Sequence, residues 1–371
     1  MLGERVLVTG GAGFIGRAVV AELLAQGDEV RVLDSLIEQV HGDRGRPEGL
    51  SPDAELIRGD VRNGDVVARA LESVDSVVHL AAEVGVGQSM YEVERYTSVN
   101  DVGTAVLFEK LIDRPVRRVV TASSMSIYGE GLYRDAAGGV VQDAVRLPRD
   151  AHDTWDPVDL AGRPLVPIAT PEWKRPDLAS IYALNKYVQE RTTLIMAKAY
   201  GMEACCLRLW NVYGPGQALS NPYTGVLAIF ASRYLTGGAP MIFEDGEQRR
   251  DFVHISDIAR AFLVALDHGQ AVDDVFNIGS GDVRTVTDVA RALGAAMGAG
   301  DRSPEYVGKT RIGDIRHCFP DVAKAQEKLG FRAAKNWNEG LTELAEWVAR
   351  QQADDRVGQA RAELEKRGLV A

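Results

Sequence analysis

The stretch that decides the fold is Thr9-Gly10-Gly11-Ala12-Gly13-Phe14-Ile15-Gly16. It follows Arg5–Thr9 (RVLVT), which reads as a buried strand. It opens Phe14–Gln26, which reads as a helix stopped at Gly27. Two glycine templates overlap here, G-x-x-G-x-x-G from Gly10 and G-x-G-x-x-G from Gly11. Glycines at this spacing let the chain turn tightly, let the backbone approach a pyrophosphate, and let the helix pack close to the strand. The pyrophosphate then meets the positive end of the helix. A lone glycine triplet is explained equally well as a turn and a cap. Its place between a first strand and a first helix makes it a dinucleotide-binding signal. Gly10, Gly13, Phe14, Ile15 and Gly16 are the expected contacts.

The same rhythm continues outward. Glu29–Asp34 (EVRVLD), Glu55–Asp60 (ELIRGD), Ser76–Ala82 (SVVHLAA) and Arg117–Ser123 (RRVVTAS) read as strands, with helical segments near 64–73 and 93–113. Such alternation predicts an α/β fold with a Rossmann-type doubly wound parallel sheet. Asp34 closes the second strand, where a carboxylate hydrogen-bonds ribose hydroxyls and repels a 2′-phosphate. The following Ser35-Leu36-Ile37 offers no arginine for that phosphate, so the sequence favours NAD over NADP. The simpler reading of Asp34 is a loop cap. Asp60 and Val61 are placed to meet the adenine, and Leu80, Ala81 and Ala82 allow close backbone approach to the cofactor.

From Gly129 to Asp177 the pattern breaks into a stretch rich in Pro, Gly and Asp, an insertion that is either a lid or a surface decoration. A helix over Leu178–Tyr200 and a strand over Glu203–Trp210 follow. Shorter mixed elements come next, with helices near 224–236, 256–267, 285–298, 321–329 and 338–352. The expected division is a cofactor domain over 1–211, interrupted by 129–177 and rejoined by 252–280, and a smaller α/β substrate domain over 212–371. The tail Ala353–Ala371 reads as a charged, solvated surface helix, with a packing or dimer role as the alternative.

Composition bounds the function. In 371 residues, 53 acids against 42 Lys and Arg give a net charge of −11, which excludes a general nucleic-acid binder. No apolar run is long enough to cross a bilayer. Cys205, Cys206 and Cys318 make neither a disulfide framework nor a zinc site, and nothing has metal-ligand spacing. His79 and His254 sit in apolar runs and read as satisfied core histidines. The expectation is a reduced, cytoplasmic enzyme that uses no metal.

Tyr182-Ala183-Leu184-Asn185-Lys186 is a Y-x-x-x-K pair, and positions i and i+4 share a helix face. An ammonium beside a phenol lowers its pKa from about 10, making Tyr182 a usable base or acid. Alone the pair is a weak signal, since a tyrosine covering a lysine stem looks the same. Support comes from Ser123-Ser124-Met125-Ser126-Ile127-Tyr128-Gly129, hydroxyls at a strand's C-terminal end, where doubly wound sheets bind ligands.

Taken together, TGGAGFIG, Asp34, HLAA, SSMSIYG, YALNK, RLWNVYGPG and RRDFVHISD resemble the extended short-chain dehydrogenase/reductase family, and within it the nucleotide-sugar epimerases and dehydratases. The resemblance covers roughly residues 3 to 350. It implies a tightly held NAD, a Ser124-Tyr182-Lys186 triad, a nucleotide-diphosphate sugar as substrate, and a homodimer pairing the segments near 93–113 and 178–200. It further implies that Asn211, Arg250 and Arg311 contact the substrate diphosphate, that Asp314 meets the nucleotide ribose, and that the backbones of Met241 and Phe243 face the base. A guanidinium fork suits phosphate oxygens, although an arginine in so acidic a chain also reads as a surface ion pair.

The sequence also departs from the family. Sugar 4,6-dehydratases carry an Asp-Glu pair just after the catalytic hydroxyl, where this chain has Met125 and Ser126. Neither does acid–base work well, which leaves oxidation and reduction at C4, that is, 4-epimerisation through a transient 4-keto sugar. The strings SMSIYGEGLY and NPYTGVLAIF are similar to a subgroup acting on dTDP-6-deoxyhexoses such as dTDP-L-rhamnose. A UDP-hexose or UDP-uronate 4-epimerase, a 4-ketosugar reductase and a non-catalytic Rossmann sensor are the alternatives.

Overall fold

Seven parallel strands form the central sheet of the computed structural model: β1 (Arg5–Thr9), β2 (Glu29–Asp34), β3 (Glu55–Arg58), β4 (Ser76–His79), β5 (Arg118–Ser124), β6 (Glu203–Leu209) and β7 (Asp274–Ile278). The structure describes residues 3–42, 46–147, 154–219, 225–310, 313–351 and 357–370. The strand order β7-β6-β5-β4-β1-β2-β3 reverses direction of growth between β1 and β4, the topological switch point where such sheets bind ligands. Strands β4 and β5 are buried along their whole length, as expected of a sheet covered on both faces. Four strands run differently from the sequence expectation. β3 ends at Arg58, β4 at His79 and β6 at Leu209, while β5 extends to Ser124. The residues beyond the first three leave the ladder to line a cleft at the sheet's C-terminal edge.

Helix α1 (Phe14–Gln26) ends at Gly27, whose φ of 94° is left-handed and whose N–H bonds the last turn. The segment near 93–113 is broken by a π-helical turn over Ser98–Val102. The turn holds buried Asn100, whose side chain both accepts from Glu83 N (2.7 Å) and donates to Glu83 O (3.1 Å). Helix α2 (Ile181–Ala199) starts where Ser180 caps it, its hydroxyl accepting from Ala183 N.

A second core surrounds Phe230, Leu293 and Leu344, beneath a three-stranded sheet of Asn211–Tyr213, Arg249–His254 and Val283–Thr285. The chain returns to the main sheet only from helix α3 (Ile255–Asp267), which packs on α1, and through β7. The strand part of 252–280, up to His254, stays with the smaller sheet.

The insertion, expected as a lid or a surface decoration, sits apart from the cleft in its described residues. Leu132–Arg134, Val140–Val141 and Val166–Ile168 form a small antiparallel sheet, and among the described residues none of 129–177 lines the cleft. Instead it docks on the segment after Asp314. Thr170 N donates to Phe319 O (2.8 Å), and buried Arg316 ties the two together. Its Nε donates to Asp156 Oδ1 (2.7 Å), Nη1 to Glu244 Oε2 (3.0 Å), and Nη1 and Nη2 to the Asp245 carboxylate.

The solvated tail helix is also corrected. Helix α4 (Val357–Lys366) buries Ala360 and Leu364, and Ala360, Arg361, Leu364 and Leu369 line the main cleft. Its apolar spacing is too sparse to read as a packed face from sequence. No helix among the described residues is long and apolar enough to cross a membrane.

Candidate active site

The cleft holds about 1600 Å³ and runs from the switch point of the sheet to the smaller unit. That exceeds the few hundred to about 1,000 Å³ of an ordinary small-molecule pocket, and suits two ligands lying end to end.

One half is built by the glycine turn. Gly10 has a φ of +68°, and a Cβ there would stand 2.8 Å from Ala81 N. A Cβ on Gly16 would meet Gly10 O at 2.4 Å, so the strand-to-helix turn closes only with glycine at both. No side chain caps the N-terminus of α1, whose first residues Phe14, Ile15 and Gly16 line the cleft. This leaves helix N–H donors for an anion. Asp34 caps the loop and also faces the cleft. Its oxygens accept from Ala12 N (3.0 Å) and Leu36 N (2.9 Å), capping the loop, while the residue forms part of the cleft wall. Asp60, Val61, Leu80, Ala81 and Ala82 line the same wall. Arg62 binds Asp60 through Nε and Nη2 and holds its carboxyl below the usual range. An uncapped helix end, a glycine turn and a carboxylate at the end of β2 match the donor and acceptor set of a dinucleotide.

The catalytic candidates meet at the middle of the cleft. Ser124 ends β5 and Tyr182 lies in the first turn of α2, and both line the same stretch of the cleft. Ser126 Oγ donates to Ser124 Oγ (2.9 Å), and Tyr182 N donates to Ser89 Oγ (3.1 Å). Lys186 is buried one turn on, its Nζ donating to Ala122 O (3.1 Å). The electrostatics correct the sequence expectation. Burial pushes the Tyr182 phenol up to about 12, with the Ser124 hydroxyl pulling only partly against it. Burial pushes the Lys186 ammonium down to about 8. Desolvation disfavours both charged forms and is the leading cause at each.

Behind the triad, a buried network fixes its frame. Arg208 forks onto Glu190 (2.7 and 2.9 Å) and donates to Tyr128 Oη (2.7 Å), while Ser123 Oγ also donates to Glu190 (2.7 Å). Glu190 lies on α2 one turn beyond Lys186, so this pair locks the helix to β5 and β6.

Asn211, Met241, Phe243, Arg250 and Asp314 line the other half of the cleft. Arg311 lies outside the described residues. Asn211 Nδ2 donates to Asp251 O (2.8 Å) and Gln248 Nε2 to Phe243 O (2.9 Å). Arg250 is anchored on the carbonyls of Arg249 (2.9 Å), Arg316 (2.8 Å) and Ile315. The sequence reading missed Glu83 and Arg95, paired at 2.8 Å in the cleft wall, and Arg361 on α4. Glu83 directly follows HLAA and was findable as the first charge beyond β4. Arg361 carried no signal. His79 is neutral and satisfied as expected, between Thr9 (2.7 Å) and Thr104 (2.9 Å), with burial and Lys186 pushing its pKa down to about 3. Among the described residues no His, Cys, Asp and Glu cluster could hold a metal.

A parallel sheet with this switch point and a Ser/Tyr/Lys cluster at its edge defines a dinucleotide-dependent enzyme class. The chain belongs to the NAD-dependent epimerase/dehydratase family, whose model matches residues 6–140 and 166–279. Among its relatives is a dTDP-L-rhamnose 4-epimerase from Burkholderia thailandensis, 34% identical over 94% of this chain and 96% of the relative. A solved UDP-glucose 4-epimerase from Thermotoga maritima, bound to UDP-glucose, superposes with a TM-score of 0.76 at 33% identity, covering 92% of this chain and 98% of that one. The Thermus thermophilus UDP-glucose 4-epimerase complex with NAD gives 0.74 at 29% identity, covering 94% and 100%.

Proposed function

We propose that the protein is an NAD-dependent nucleotide-sugar 4-epimerase, acting on a dTDP-6-deoxyhexose such as dTDP-L-rhamnose. The observation that carries the chemistry is the meeting of Ser124, Tyr182 and Lys186 in one cleft, with Lys186 one helical turn beyond Tyr182 and with Met125 and Ser126 at the dehydratase acid–base positions. The substrate choice rests on the Burkholderia relative and on the two local strings quoted above.

NAD would be held by Gly10, Gly13, Phe14, Ile15, Gly16, Asp34, Asp60, Val61 and Leu80–Ala82, with Tyr182 and Lys186 toward its reactive end. When bound, its nicotinamide supplies the hydride acceptor and return donor and brings positive charge into the cleft. Tyr182 takes the proton of the sugar 4-hydroxyl, Ser124 bridges that hydroxyl to the phenol, and Lys186 steadies the phenolate. Asn211, Arg250 and Arg311 grip the nucleotide diphosphate and Asp314 its ribose while the 4-keto sugar turns over about its tether. Tyr182 then returns the proton, so there is no net redox change.

The experiment is a panel of dTDP- and UDP-sugars with the products resolved by chromatography. A C4 epimer from dTDP-L-rhamnose without added NADH is the expected result. Steady consumption of added NADH would instead mark a ketosugar reductase. The proposed setting is cytoplasmic, supported by three buried cysteines that form no disulfide. The proposed assembly is a homodimer. Val102, Ile112, Leu184 and Ile195 leave apolar surface exposed on the two helical segments, supporting that pairing.

A further inference from the structure

Helix α4 bridges the two sides of the cleft mouth. On the cofactor side, Leu364 lies 3.5 Å from the position a Cβ on Gly87 would take, and the Arg367 guanidinium stacks 4.3 Å from the Tyr91 ring centre. On the other side, Arg361 Nη1 reaches Met241 Sδ at 3.7 Å, and Glu365 sits 3.8 Å from Lys309 Nζ. Leu364 is 6% exposed, so the helix is packed in place. Glu365 also accepts from Arg361 Nε (2.9 Å), which orients the guanidinium and leaves its outer fork toward the thioether. A thioether is a weak acceptor and a poor match for a guanidinium. Arg361 is therefore a cleft-lining cation held by one carboxylate, with donor capacity facing the cavity.

We infer that Arg361 is a substrate-binding residue, and that α4 forms the outer wall of the nucleotide subsite, taking the nucleoside-diphosphate end of the substrate. This rests on the nucleotide-sugar reading above, which places the nucleotide beside Met241 and Phe243. A guanidinium there can donate to a pyrimidine carbonyl or a phosphate oxygen, in a chain whose net charge of −11 otherwise repels such a ligand. The helix also covers the tethered nucleotide while leaving the sugar free to turn, as epimerisation requires.

The test is calorimetric titration of the NAD-loaded protein with UDP and with dTDP, which needs no turnover. Arg361→Gln is expected to weaken both about tenfold to a hundredfold, the effect of losing hydrogen bonds from a charged group. Arg361→Lys should recover part of the loss, and bound NAD and the melting temperature should stay unchanged. A second variant, Leu364→Asp, should loosen the helix from Gly87 and give the same loss of nucleotide affinity. Unchanged UDP and dTDP affinity in both variants would overturn the assignment while leaving the epimerase reading intact. Failure of the unaltered protein to bind either nucleotide would overturn that reading, and this assignment with it.

Discussion

Ser124 and Tyr182 come from opposite sides of the insertion, yet both line the same stretch of the cleft, where the Ser124 hydroxyl draws the pKa of the buried Tyr182 phenol down. Strand β5 delivers one and the first turn of α2 the other, and buried Glu190 of α2, which accepts from Ser123 of β5 and pairs with Arg208 of β6, holds these elements in register. Tyr182→Phe removes the proton carrier and leaves the ring. It should lower kcat by about 10² to 10⁴ with bound NAD and folding retained. Ser124→Ala should cost less, because the phenol keeps its place. Turnover of the sugar panel together with cofactor absorbance checks both, and near-native kcat in Tyr182→Phe would refute the mechanism.

The glycine turn allows cofactor binding and folding to be separated. Gly13 has ordinary extended backbone (φ −69°, ψ 178°), and a Cβ there meets only Gly10 O at 3.3 Å. Gly13→Ala should fold with a melting temperature near that of the unaltered protein, yet copurify with far less NAD, because the methyl lies where backbone must approach the pyrophosphate. Gly16→Ala, whose Cβ would meet Gly10 O at 2.4 Å, should lose both. Melting curves and extracted NAD, measured side by side, distinguish the two outcomes.

Arg250 has two duties, and its substitution should show both. It lines the half of the cleft proposed for the nucleotide and holds the carbonyls of Arg316 and Ile315. Arg250→Ala should raise KM for the nucleotide sugar at least tenfold and also destabilise the fold by about 1–3 kcal/mol. Arg250→Lys, a point charge without the fork, should recover more stability than affinity. Denaturant midpoints and UDP titration separate the two effects.

The sheet was legible because its signals are local. Arg5–Thr9, the glycine turn and Asp34 each carry their own reason for being a strand, a turn and a strand end. The triad was legible in position, since Y-x-x-x-K fixes a helix face, but not in protonation. Burial is a property of everything packed around Tyr182 and Lys186, and no spacing rule contains it. The insertion and the tail were least legible, because what places them is long-range. Arg316 meets Asp156 across 160 positions, and Leu364 meets Gly87 through the folded cleft. Neither contact leaves a periodic trace.

The docking of the insertion carries a prediction about acid. Hydrogen bonds from His317 and Arg316 hold the Asp156 carboxyl well below the usual carboxylate range. A carboxyl whose folded pKa is depressed adds stability above its unfolded pKa, near 4, and loses it as pH falls toward the folded value. Stability should therefore drop on acidification below about pH 4, and Asp156→Asn should flatten that part of the curve while lowering stability at pH 7. Arg316→Met should be more damaging, by about 3–5 kcal/mol, because Glu244 and Arg316 are both buried and the carboxylate would lose one of its charge partners. Arg146 still reaches Glu244, so the variant should unfold at lower denaturant without losing the fold outright. Urea melts between pH 3 and pH 7 on the three proteins check the prediction. An acid limb in Asp156→Asn that matches the unaltered protein's would show that the insertion is docked by other contacts.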